Sequence, residues 1–231
     1  MVKHDVVVVG GGPAGMMAGL LLARAGVDVL VLEKHADFFR DFRGDTVHPA
    51  TMEILDQLGW LDEFLRLPHN RVDSAEFTWE DRTYSLADFS HLRTPAPFIA
   101  MMPQWDLLDF LRDKARAFSG FHLVMCEEVT QLAQEGGRFT GVVTAAGEEF
   151  HARRLVVMAD GRSSLVRRKG LLPLHDLGAP IDVLWFKVPK SGSGSRLRGQ
   201  IKGGHMLVLF ERWDYWQCAF VIAKGQAARM M

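Results

Sequence analysis

The chain has 231 residues, a formal net charge of −1 and a mean hydropathy of +0.02. That length supports one large domain or one and a half ordinary ones, and the balanced charge excludes a bulk field that would recruit nucleic acid or an anionic membrane. Cys126 and Cys218 form no C-x-x-C pair and read as reduced thiols of a cytoplasmic protein, residues 6–9 are too short an apolar run for a signal peptide, and no stretch is long enough to span a bilayer.

In chain order, residues 6–9 predict a buried strand, Gly10-Gly-Gly-Pro-Ala-Gly15 a tight turn, residues 14–25 an apolar helix, and residues 29–32 a second buried strand ending in Glu33-Lys34. A G-x-G-x-x-G between a strand and a helix, with an acid at the end of the next strand, predicts a dinucleotide site. Gly10 makes the turn. Gly12 lets a diphosphate approach the backbone, and Gly15 lets the helix lie close to the sheet. The helix start, Pro13-Ala14, offers unpaired N–H groups and a positive dipole end to phosphate. Glu33 can accept bonds from ribose hydroxyls, which favours a free 2′-hydroxyl, as in FAD or NAD.

Residues 34–45 are polar and aperiodic. Pro49 opens a helix ended by Gly59, and a second short helix runs over 60–67 before Pro68. Residues 75–79 and 82–86 predict paired strands. Residues 103–118 have helical spacing, with Leu107, Leu108, Leu111 and Ala115 on one face. Strands follow over 122–126 and 128–133, then a hairpin of 139–144 with 148–151. Residues 155–159 predict a strand buried on both faces, returning to the first sheet. It ends in Asp160-Gly161, where Gly161 permits a sharp turn and Ser163 or Ser164 can cap the next helix. Residues 191–195, Ser-Gly-Ser-Gly-Ser, read as a flexible loop tip. From Asp182 onward the pattern is β-rich, over 183–188, 206–211 and 215–222. The expected class is therefore α/β, with a parallel sheet and a β-hairpin insertion over 1–175, then an antiparallel β-rich domain over 176–231.

The two motifs together resemble the FAD-dependent aromatic hydroxylases, the single-component flavoprotein monooxygenases of the p-hydroxybenzoate hydroxylase type. The resemblance runs over essentially the whole chain and makes 1–175 a Rossmann-like FAD-binding domain and 176–231 the N-terminal part of a substrate domain. It implies FAD contacts from Gly10, Gly12, Pro13, Ala14, Gly15, Glu33, Lys34, Asp160 and Gly161. It puts Arg43 near the flavin and diphosphate, Gln104 against the ribityl chain, and backbone groups of Val129 at the adenine. The Asp160-Gly161 segment also serves the nicotinamide donor in that family. The implied reaction uses NAD(P)H, as a transient donor, and O2 to hydroxylate an aromatic or polyketide-like small molecule. The cofactor carries the hard chemistry, while the protein binds, orients and excludes water.

The family's third motif, Gly-Asp followed by a small residue, is not found, and the chain stops at Met231 inside the expected substrate domain. The sequence thus reads as the N-terminal part of such a hydroxylase, with no catalytic residue assigned. Aromatic candidates for a substrate wall are Trp185, Phe186, His205, Phe210, Trp213, Tyr215 and Trp216, with sheet packing as the plainer role for most. His48 is a further candidate beside the flavin. No Ser-His-Asp pattern or contiguous metal-binding motif stands out, and no metal is expected. Trp213-Asp-Tyr-Trp216-Gln does not match the W-x-W-x-I-P element of flavin halogenases. Isoprenoid double-bond reduction, an NAD-dependent dehydrogenase and a non-catalytic nucleotide-binding fragment stay open, as does homo-oligomerisation.

Overall fold

A computed structural model describes residues 3–39, 45–175, 177–190, 197–212 and 214–227. In chain order the elements are β1 (Lys3–Val9), α1 (Pro13–Arg24), β2 (Val29–Glu33), β3 (Thr46–Val47), α2 (Pro49–Gln57), α3 (Leu61–Phe64), β4 (Asn70–Val72), β5 (Ser74–Trp79), β6 (Arg82–Asp88), β7 (Ile99–Met101), α4 (Gln104–Ala115), β8 (Phe121–Met125), β9 (Val129–Glu135), β10 (Arg138–Thr144), β11 (Glu149–Met158), α5 (Leu165–Arg168), β12 (Ile181–Pro189), β13 (Leu197–Lys202), β14 (His205–Glu211) and β15 (Tyr215–Ala223).

They form two compact units. The first comprises residues 1–43 and 104–175, the second residues 44–103 and 176–231. This departs from the expected continuous stretch 1–175. The reason is a pairing invisible to local pattern: β5 lies parallel to β13, from Ala75 opposite Leu197 to Trp79 opposite Ile201. The predicted hairpin of 75–79 with 82–86 exists as β5–β6, but it extends the second unit's sheet.

The first unit is built on a six-stranded sheet in the order β8-β2-β1-β11-β10-β9. β1 runs parallel to β2 and β11, and β2 runs parallel to β8. Parallel strands need crossover helices on the sheet. Here α1 packs on β1, β2, β8 and α4, and all five residues of β2 are buried. Gly19 sets how closely α1 approaches: a Cβ there would lie 2.6 Å from Val31 Cγ2 and 3.1 Å from the Phe121 ring. The helix face predicted for 103–118 is buried as expected, at Leu107, Leu108, Leu111 and Ala115.

One prediction fails here. Residues 148–151 and 155–159 were expected as separate strands, the second buried on both faces. They merge into β11, which pairs antiparallel with β10 and parallel with β1. Val156 and Met158 pack with Val7, Val9, Leu30 and Leu32 on one face. On the other face Leu155 is 55% exposed, because α1 covers the β1-β2-β8 side of the sheet.

The second unit holds a six-stranded sheet, β12-β15-β14-β13-β5-β6, and a small sheet, β3-β7-β4. Val72, Ile99 and Met101 form a buried cluster there with Phe89, Leu197 and Phe210. A Cβ at Gly199 would lie 2.1 Å from the Phe77 ring, so only glycine fits beneath that ring.

Candidate cofactor-binding site

The site grows from the carboxyl ends of β1, β2 and β11. β1 leaves the sheet at Gly10, whose φ of +103° suits glycine; its N–H donates to Leu32 O at 2.8 Å. A Cβ at Gly15 would sit 1.8 Å from Gly10 O. Gly15 therefore makes room for the turn itself, while Gly19 makes room for the sheet. At Gly12 a Cβ would meet nothing within 4 Å, so the space beside that backbone is open to a ligand. α1 starts from Gly12 with Pro13 in its first turn, no side-chain cap and no first-turn acid. Such a helix start leaves backbone donors for an anion.

Glu33 ends β2 and is 6% exposed. Its Oε2 accepts the Gly11 N–H at 2.7 Å and its Oε1 accepts the His35 N–H at 3.0 Å. The His35 ring lies 4.0 Å from the same Oε1. Gly11 is a site residue the motif reading passed over. Its N–H pins the acid to the turn, and a Cβ there would lie 2.8 Å from Glu33 Cβ.

Asp160 follows β11. Its Oδ2 accepts the Leu165 N–H at 2.6 Å, whereas Oδ1 is buried with no hydrogen-bond partner. Ser164 occupies the N-cap position of α5 but makes no side-chain cap bond. Asp160 supplies that acceptor instead, which corrects the expectation that Ser163 or Ser164 caps the helix. A buried, unpaired carboxylate oxygen costs roughly 1–3 kcal/mol or more, and a ligand hydroxyl satisfies it.

Gly10, Gly11, Gly12, Glu33, Lys34, Gln104, Val129, Asp160 and Gly161 line one cleft of about 270 Å³. Pro13, Ala14 and Gly15 form the start of α1 behind it. Arg43 lies outside the described residues. Glu127, Glu128, Ser163 and Arg168 also line the cleft; Glu127 is drawn in by its N–H bond to Glu33 O at 2.8 Å. A larger cavity of about 820 Å³ beside β8, walled by Phe38, Phe39, Trp105, Arg112 and Arg116, holds none of the motif residues. The open space at Gly12, the uncapped helix start and the lone Asp160 oxygen fit a dinucleotide in the smaller cleft.

The profile described as FAD binding domain matches residues 3–211. The chain belongs to that FAD-binding family. It is 35% identical over 189 residues to 6-methylpretetramide 4-monooxygenase of Streptomyces rimosus, covering 80% of this chain and 45% of that protein. It is 33% identical over 169 residues to rifampicin monooxygenase of Streptomyces venezuelae, covering 71% and 33%. The chain thus spans less than half the length of these curated relatives. Among solved structures, PqsL, titled a probable FAD-dependent monooxygenase from Pseudomonas aeruginosa, superposes over 100% of this chain and 63% of its own, with a TM-score of 0.83 at 20% identity. p-Nitrophenol 4-monooxygenase PnpA from Pseudomonas putida superposes over 100% and 61%, with a TM-score of 0.79 at 22% identity. These two show a shared FAD-binding fold, and FAD is the cofactor of the family.

The described aromatic candidates, Trp185, Phe186, His205, Phe210, Tyr215 and Trp216, lie on the second unit's sheet. Trp185 stacks on Phe210 at 6.0 Å and His205 on Phe220 at 5.6 Å, while the Lys187 ammonium sits 4.5 Å from the Tyr215 ring. None of them lines either cavity above, and Trp213 lies outside the described residues. His48 caps α2 by position and lies 3.4 Å from Thr46 Oγ1. In the same unit Arg212 donates to Asp45 Oδ2 at 3.2 Å and to Gln217 Oε1 at 2.6 Å, and Lys190 meets Glu211 at 2.7 Å. Burial pulls the Arg212 guanidinium below its ordinary pKa, against the opposing pull of the Asp45 charge. Sequence reading missed these pairs, because Asp45 and Arg212 meet only through the fold.

Proposed function

We propose that this chain is the FAD-holding part of a monooxygenase that uses NAD(P)H and O2 to hydroxylate an aromatic or polyketide-like small molecule. The observation that carries the reading is the buried Asp160 Oδ1, unpaired in the cleft that also contains the Gly10–Gly12 turn and Glu33. Bound FAD supplies the redox chemistry. The chain's own residues bind and orient it. The Gly12 backbone and the α1 start hold the diphosphate, Glu33 takes the ribose hydroxyls, and Lys34 lies at the rim. Val129 meets the adenine through its backbone. Gln104 and Asp160 hold the ribityl and diphosphate side, with Gly161 allowing the turn and Arg43 completing the set. Residues 1–43 and 104–175 are the FAD-binding part, and residues 44–103 and 176–231 belong to the substrate side. The relatives named 6-methylpretetramide 4-monooxygenase and rifampicin monooxygenase support the monooxygenase reading.

A second reading is a different flavin reaction. It is favoured by 33% identity over 177 residues to menaquinone reductase of Mycolicibacterium smegmatis. Among the described residues no helix is long and apolar enough to cross a membrane. Cys126 and Cys218 are free thiols, which supports a cytoplasmic location.

The test reconstitutes the chain with FAD, then supplies NAD(P)H, O2 and a panel of phenols and polyketide-like substrates. Substrate-dependent NAD(P)H oxidation with a product one oxygen heavier supports the hydroxylase. Quinone reduction without oxygen insertion supports the second reading.

A further inference from the structure

At the amino ends of the same parallel strands, opposite the cofactor cleft, three side chains converge. His4 sits in β1, Asp28 immediately before β2, and His122 in β8, on neighbouring strands of the order β8-β2-β1. His4 Nδ1 lies 3.0 Å from Asp28 Oδ1, and His122 Nε2 lies 3.2 Å from the same oxygen. All three ligand atoms fall within 4.8 Å of one another. The imidazole rings are 4.9 Å apart and tilted by 51°. His4 is buried, Asp28 half-buried and His122 exposed.

We propose that His4, Asp28 and His122 bind a divalent transition-metal ion of the Zn²⁺, Co²⁺ or Ni²⁺ class. Tetrahedral Zn²⁺ with bonds of about 2.0–2.1 Å places its ligand atoms roughly 3.3 Å apart; the two edges to Asp28 Oδ1 are 3.0 and 3.2 Å, and the edge between the two imidazole nitrogens lies within 4.8 Å. Two imidazoles with one carboxylate suit such ions and not Mg²⁺ or Ca²⁺, which take oxygen ligands. The fourth position goes to water. Asp28 Oδ2 is held apart from the ligand set by Arg153, at 3.4 Å, and Arg153 also meets Asp5 at 3.3 Å. With neutral histidines, Asp5, Asp28 and Arg153 leave one net negative charge facing the ion. The ion cross-links the starts of three strands. No contiguous motif announces it, because positions 4, 28 and 122 meet only in the sheet.

The test titrates the metal-free 231-residue chain with Co²⁺ near neutral pH and follows the visible bands of tetrahedral Co²⁺. Thermal unfolding is measured with and without Zn²⁺. The wild type is expected to bind one Co²⁺ and to gain melting temperature with Zn²⁺. His122→Gln, a change at an exposed position, should keep the fold and lose at least on the order of 100-fold in affinity, since even outer-shell changes cost about 10–100-fold. Cys126→Ser should bind as the wild type does. Affinity should fall toward acid pH, because metal ligands must be deprotonated and protons compete with the ion. No Co²⁺ bands in the wild type, unchanged binding in His122→Gln, or loss of binding in Cys126→Ser would each overturn the proposal.

Discussion

The two units treat buried charge in opposite ways. In the first, Glu33 is held by two backbone N–H groups and Asp160 by one, with its second oxygen unpaired, and both acids line a cleft. In the second, Asp45 and Glu211 face the side-chain cations Arg212 and Lys190 with both partners nearly sealed from water. A carboxylate positioned by backbone donors keeps acceptor capacity for a ligand. One closed by a guanidinium or an ammonium spends it on the fold. The first arrangement suits the candidate binding site, the second a structural clasp.

Removing one partner of a clasp should have the largest effect on stability. Arg212→Met leaves Asp45 buried without its cation and should lower the unfolding free energy by about 3–5 kcal/mol, read from urea denaturation by tryptophan fluorescence. A loss no larger than that of a surface substitution would erase the contrast between the units. Gly15→Ala comes next. Its methyl collides with Gly10 O, so FAD affinity should fall at least 100-fold, about 2.7 kcal/mol, by flavin fluorescence titration. Asp160→Asn keeps an oxygen for the Leu165 N–H but lacks the charge, and should cost FAD binding about tenfold, near 1.4 kcal/mol, while the melting temperature stays close to that of the wild type. If melting collapsed instead, Asp160 would belong with the clasps.

The smallest effect sharpens the same contrast at the sheet's other end. Asp28 has a folded-state pKa below its ordinary value. Its contribution to stability is therefore complete above the ordinary carboxyl range and is lost as pH falls through the lowered folded value. Asp28→Asn should flatten that acid limb of the stability curve, and equal pH dependence in variant and wild type would remove Asp28 from the account.

The elements around the candidate cleft were legible in sequence because its main parts are contiguous: a strand, a glycine turn, a helix and an acid, then a strand ending in Asp160-Gly161. Glu33 binding back to Gly11 was not, since G-x-G-x-x-G names the spacing and leaves the second glycine unspecified. The role of Gly19 was missed because glycine in a helix carries no pattern until the sheet beneath it is known. The assignment of 44–103 to the second unit rests on a parallel pairing between β5 and β13, whose residues Arg198-Gly-Gln-Ile-Lys202 lack strand alternation. Long-range pairing leaves little local trace, and for the same reason the three candidate metal ligands were invisible in the sequence.

The central claim is that these residues hold FAD. The direct measurement is a visible absorption spectrum of the purified chain after incubation with FAD and desalting. Flavin bands that remain with the protein are the predicted result. A folded but colourless protein would contradict it.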